Sequence, residues 1–160
     1  MNPKDSGGAV TVMVVIMLPL FLLSLALVLD VGLLFITRTQ AQAAVDMGAL
    51  AGVQELDWDA AARGVLQLRP EEAERSAKEW TLRNLEALRR ARPGPGDVFI
   101  KVEVYNASPD QPMTVRGTGR VISTPTVRVE AKIPTTLLLL SLPVELKVAA
   151  DASVVRSETR

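Results

Sequence analysis

From Ala9 to Leu29 the chain carries no charged residue, and only Thr11, Pro19 and Ser24 interrupt the apolar run. As a helix rising about 1.5 Å per residue, this run spans roughly 31 Å, close to the hydrocarbon thickness of a bilayer. Asp30 falls where such a span meets the membrane interface, and Val31 to Ile36 prolong the apolar character up to Arg38. The pattern predicts a single membrane-spanning helix, in which Pro19 is better tolerated than in a soluble one. A cleaved secretory signal is the rival reading, since Ala41-Gln42-Ala43 has the small residues of a cleavage site. The apolar region is far longer than the roughly 7–15 residues of a signal peptide, which favours the anchor. Lys4 and the α-amino group precede the span, and Arg38 alone follows it before Arg63. This slight excess places the N-terminus inside and the polar remainder across the membrane.

From Thr37 to Leu56 the helical pattern continues, but Ala, Gly, Gln and Met replace the large aliphatics. Ala41, Ala44, Gly48, Ala51 and Gly52 recur at spacings of three and four, which puts small side chains on one face. Glycine inside a helix costs roughly 1 kcal/mol against alanine, so Gly48 and Gly52 point to another backbone close by. That backbone belongs either to the chain's own domain or to a partner subunit. Leucine at position 48 is expected to overfill the contact, and alanine to be much milder. Span and extension together make one helix from Ala9 to Leu56, roughly 70 Å long.

After Asp57-Trp58-Asp59 breaks this pattern, Pro70 opens a second helix that ends before Pro93-Gly94-Pro95-Gly96. Glu71, Glu72 and Glu74 crowd its start and Arg89, Arg90 and Arg92 its end, complementing the helix dipole. Four i,i+4 pairs are set in the favourable order, Glu71–Arg75, Glu74–Lys78, Glu79–Arg83 and Glu86–Arg90. Ala73, Ala77, Trp80, Leu85 and Leu88 form the opposing apolar stripe. Period-two alternation then predicts strands over Val98–Tyr105, Thr126–Ile133 and Val144–Val148, with a weaker one over Val115–Ile122 holed by Gly117 and Gly119. One polar face per strand fits an antiparallel sheet covered on its other side by helix. Pro134 to Pro143, with four consecutive leucines, is too short to cross a bilayer. It reads as a buried connection, or else as an apolar tip resting on the membrane or a partner.

The fold class is therefore α+β: residues 1–8 a short cytoplasmic N-terminus, 9–36 the span with its extension, 37–56 the stalk and 57–160 an extracytoplasmic domain.

Composition narrows the chemistry. The 160 residues hold 18 basic and 18 acidic side chains, so no net charge draws the chain to nucleic acid. There is no His and no Cys, which removes Ser-His-Asp and Cys-His nucleophilic sites, His- or Cys-based zinc and disulfides. Glu55, Asp57 and Asp59 lack the glycine and distal glutamate of a calcium loop. Gly117-Thr118-Gly119 is a fragment of a phosphate loop that fits a bulge better. No catalytic, cofactor or metal site is expected. The residues singled out are the small-residue face for packing or partner contact, with Asp30 and Arg38 at the membrane interface.

The order Gly7-Gly8-Ala9-Val10, an aliphatic run with Pro19, then Asp30-Val31-Gly32 resembles the N-terminal region of TadE/TadG-like proteins of Flp (Tad) pilus assembly. Arg38 to Gly52, ending Ala49-Leu50-Ala51-Gly52, resembles the second block of that family. The resemblance implies a membrane-anchored, pilin-like accessory protein of the cytoplasmic membrane. Its implied partners are the lipid bilayer and other pilus-assembly or pilin-like subunits. TadE-type members also resemble prepilins, with a glutamate five residues past a glycine cleavage site. Here that position holds Val12 or Met13, which places the chain nearer the uncleaved TadG-like members. The competing function is a membrane-tethered module that binds an extracytoplasmic ligand.

Overall fold

The computed structural model describes residues 6–91 and 96–155. Helix α1 runs unbroken over Ser6–Val53, 48 residues and thus about 72 Å. It passes through Pro19, and Ser24, Thr37 and Thr39 donate their hydroxyl protons to the carbonyls of Leu20, Leu33 and Phe35. Intrahelical bonding of this kind satisfies polar side chains without help from solvent. Past Gly52 the turn tightens, with Glu55 N–H donating to Gly52 C=O, and Leu56 bridges to Leu68. The expected helix thus stops three residues short of Leu56.

Helix α2 (Trp58–Ala62) begins on Asp57, whose carboxylate accepts from Ala60 N–H at 3.0 Å and from Gln67 Nε2 at 3.1 Å. The acidic trio around Trp58 is thus partly spent on a helix cap. Helix α3 (Pro70–Ala91) starts at its proline, as expected; its expected terminator lies mostly outside the described residues, as does the expected N-terminal peptide. Of its four expected ion pairs, Glu79–Arg83 closes at 3.0 Å and Glu86–Arg90 at 3.5 Å. The buried line is Ala73, Ala77, Thr81, Leu85 and Leu88. Trp80 is a correction to the expected stripe. It is 42% exposed with Arg83 stacked 5.4 Å from its ring, and Thr81 holds the inward position because it lies four residues from both Ala77 and Leu85.

Strands β1 (Phe99–Tyr105), β4 (Thr126–Thr136) and β5 (Pro143–Ser153) form one antiparallel sheet in the order β1-β4-β5. Between β1 and β4, β2 (Met113–Thr114) and β3 (Val121–Ile122) make a separate two-stranded ribbon. A continuous strand over Val115–Ile122 is therefore corrected to a turn, because Gly117 (φ 83°) and Gly119 (φ 68°) take left-handed backbone. The inner face of the sheet carries Val127, Val129, Ala131 and Ile133, all buried, with Leu146, Val148 and Ala152 beside them. α1 lies over β4 and β5 and α3 over β1, with the two helices against each other. One apolar core joins helices and sheet. The α+β architecture with a long apolar N-terminal helix is as expected.

On the outer face, Arg128 is buried between acids, bonding Asp151 at 2.8 Å and Glu130 at 2.8 Å. The β2–β3 ribbon closes over one end of this face through Tyr105, Ala107, Val115 and Ile122, and Arg116 N–H donates to the Tyr105 hydroxyl. Asn106 clamps Leu68 by a reciprocal pair, donating to its C=O at 3.0 Å and accepting from its N–H at 2.7 Å.

Candidate functional site

The face of α1 with functional interest begins inside the apolar run. Ala26 is half-buried, and Asp30, Thr37, Ala41, Ala44 and Val45 are buried, at the three- and four-residue steps of one helix face. Around the rest of the helix, large apolar side chains from Val10 to Ile36 are exposed. Met47 and Leu50 leave the opposite side of its upper half uncovered as well.

Gly48 and Gly52 face the chain's own α3. A Cβ at Gly48 would run into Thr81 Oγ1 and lie 2.8 Å from the Ala77 carbonyl oxygen; one at Gly52 would lie 3.0 Å from Ala73 C=O, Ala77 Cβ and Val127 Cγ1. The pairing of 48 with 77 and 81, and of 52 with 73 and 77, makes the helices antiparallel. Ala41 and Ala44 are buried in the same core and Ala51 is half-buried. Between the two neighbours open to this face, the structure puts α3 against Gly48 and Gly52. Alanine at position 48 adds less than leucine would, yet its Cβ already meets an obstacle that includes backbone and not only the end of a flexible side chain.

Asp30 has the most specific environment. Only 1% of it is exposed, and its carboxylate accepts from Leu139 N–H at 3.0 Å and Leu140 N–H at 2.9 Å. Those amides belong to the loop at 137–142 between β4 and β5, which brings the apolar segment against α1. The expected buried connection is corrected here: Leu138, Leu139 and Leu142 are 71%, 52% and 54% exposed, because β4 extends through Thr136 and carries the leucines past the core. Arg38 lies on the exposed side of α1, beside Phe35 and Gln42 on one flank and Glu145 and Lys147 on the other. Gln42 ties this level to the sheet, donating to Asp46 at 2.9 Å and to the Ala149 carbonyl at 2.8 Å.

The sequence named Asp30 but not its partners, since a backbone N–H more than a hundred residues away leaves no mark on residue type. Asp30→Ala should free both amides. Hydrogen bonds to a charged acceptor contribute about 1.5–3 kcal/mol, so exchange at Leu139 and Leu140 should quicken roughly tenfold or more, with Val129 unchanged. Site-resolved exchange in micelles measures this, and Asp30→Asn, which keeps an acceptor, should fall between.

No group of metal-ligating side chains gathers among the described residues. Fold and face together define an α+β domain carried on its own long apolar helix, which doubles as the domain's central packing element. Residues 8–55 match the Tad family (Flp pilus-assembly TadE/G-like), a stretch that covers α1 almost end to end. The match bears on that helix, and the sheet and α3 lie outside it. No curated protein and no solved structure gives a match.

Proposed function

We propose that the chain is a membrane-anchored, pilin-like accessory component of Flp (Tad) type pilus assembly. In this reading α1 crosses the cytoplasmic membrane, with the N-terminus on the cytoplasmic side and the α+β domain outside. The observation that carries this reading is the coincidence of the family match with α1, apolar and largely exposed in its first half and built into a core in its second. A helix in water does not leave so many large apolar side chains between Val10 and Ile36 exposed, whereas lipid covers such a surface. The division at about residue 36 follows, with the span below and the stalk above it embedded in the domain. Partners are then other components of the assembly platform or related pilin-like subunits, for which Met47 and Leu50 offer the bare side of the stalk.

An alkaline phosphatase fused after Arg160 should be active, and loss of the gene should reduce surface pili. A cytoplasmic reporter signal would overturn the orientation; unchanged piliation would overturn the role.

A further inference from the structure

We infer that the loop at 137–142 is a second membrane contact, an apolar tip that enters the lipid interface beside α1. The inference rests on the reading that α1 spans the bilayer. Four observations carry it.

The first is level. From Val10 to Ile36 the exposed apolar band of α1 is roughly 40 Å long, more than the roughly 30 Å hydrocarbon core. Asp30 lies about 9 Å below the upper end of that band, and the loop is held at Asp30. The tip therefore sits beside helix surface that is itself lipid-facing.

The second is composition. Leu138, Leu139 and Leu142 are all more than half exposed, and no charged residue occurs between Lys132 and Glu145. The flanking charges on β5, Glu145 and Lys147, line a hollow with Arg38 and with Val31, Leu34 and Phe35, at the upper end of the band.

The third is the backbone. A loop that touches lipid must satisfy its own N–H groups, since hydrocarbon offers no acceptor. Here Leu137 N–H donates to Leu142 C=O at 2.9 Å, Ser141 N–H to Leu137 C=O at 3.0 Å, and Leu139 and Leu140 N–H to Asp30.

The fourth is Asp30 itself. A carboxylate facing lipid is costly, and the loop covers it with two donors. Helix and loop thus each remove a polar liability of the other, and this matters most where water is scarce. In water three bare leucines at a loop tip would have no such rationale. The occupant is lipid rather than a protein because the tip continues the exposed band of α1 without a charged break.

The chain has no cysteine, so single labels are unambiguous. Leu138→Cys, Leu20→Cys and Val121→Cys, each in the full-length protein, are labelled with an environment-sensitive fluorophore. Each is reconstituted into phosphatidylcholine/phosphatidylglycerol nanodiscs with or without doxyl-labelled lipid. Position 20 reports the span and position 121, 64% exposed on the ribbon, reports water. The expected result is at least twofold quenching at position 138, as at position 20, with none at 121. Quenching at 20 with position 138 behaving like 121 would overturn the loop's membrane contact and leave the anchor standing. No quenching at either 20 or 138 would overturn both. Leu142→Cys repeats the measurement should the first label perturb the loop.

Discussion

Gly48→Ala should destabilise the protein, although alanine is the better helix former by about 1 kcal/mol. The new Cβ would meet Thr81 Oγ1 and would stand 2.8 Å from Ala77 C=O, so α1 and α3 must move apart. Overpacking of this kind costs typically about 1–3 kcal/mol, and it acts on the contact that joins the two helices of the domain. The net loss for alanine should be up to about 2 kcal/mol, and larger for leucine. Thr81 Oγ1 donates to the same Ala77 carbonyl at 2.7 Å, so the hydroxyl is pinned where it obstructs most. Thr81→Ala in the same chain removes one of the two obstacles and should recover part of the loss, a coupling of about 0.5 kcal/mol or more. Denaturant unfolding of the four-member cycle in detergent tests this. A stabilised Gly48→Ala protein would show that the helices do not approach so closely.

Arg128→Ala should cost more. Arg128 Nη1 bonds Asp151 Oδ1 and its Nη2 bonds Glu130 Oε1, both at 2.8 Å, while only 9% of its side chain is exposed. Glu103 stands opposite it across the β1–β4 ladder. Removing this cation leaves Glu130 without it, while Glu103 keeps Lys101 at 2.8 Å and Asp151 keeps Arg120 at 3.5 Å. Breaking a buried pair costs about 3–5 kcal/mol; the low end applies, because Glu130 is 38% exposed and partly screened. The same face predicts acid sensitivity. Burial pushes the Glu103 carboxyl up, but bonds from Lys101 at 2.8 Å and Tyr105 at 2.7 Å outweigh it and hold the group below its ordinary value. A depressed folded pKa stabilises the fold above the unfolded value near pH 4 and is lost as pH falls through the folded one. Melting temperature should therefore fall below about pH 4, and less steeply in Glu103→Gln. Arg128→Ala with wild-type stability would dismiss the cluster as ornamental to the fold.

What was legible in the sequence was what a short window encodes. The apolar run and its small-residue continuation announced α1, the proline and paired charges announced α3, and alternation announced three strands. Trp80 stands outside the buried line because phase outweighs volume: the repeat 73, 77, 81, 85 selects Thr81, a residue that a hydrophobicity count passes over. Residues 115–122 alternate well enough for a strand, yet two left-handed glycines turn the chain within it. Length misled at Pro134, since a proline need not end an edge-reaching strand, and β4 continues through it to Thr136. For the candidate site, the residue types at Asp30 and Gly48 were visible, but their partners were not. Asp30 is met by backbone amides and Gly48 in part by a backbone carbonyl, and backbone is the same at every position.

Because α1 is unbroken from the apolar run to Val53, a load applied at the N-terminal end along the axis passes straight into the domain. It arrives parallel to the α1–α3 contact and so acts in shear. The glycine notches at 48 and 52, seated on Ala73, Ala77 and Thr81, resist sliding like teeth in a ratchet, and the Asp30 clasp lies in the same line of pull. Contacts loaded this way share the force and fail together, whereas a hinge near residue 37 would let them peel one by one. The build is that of a tie rod set into its socket.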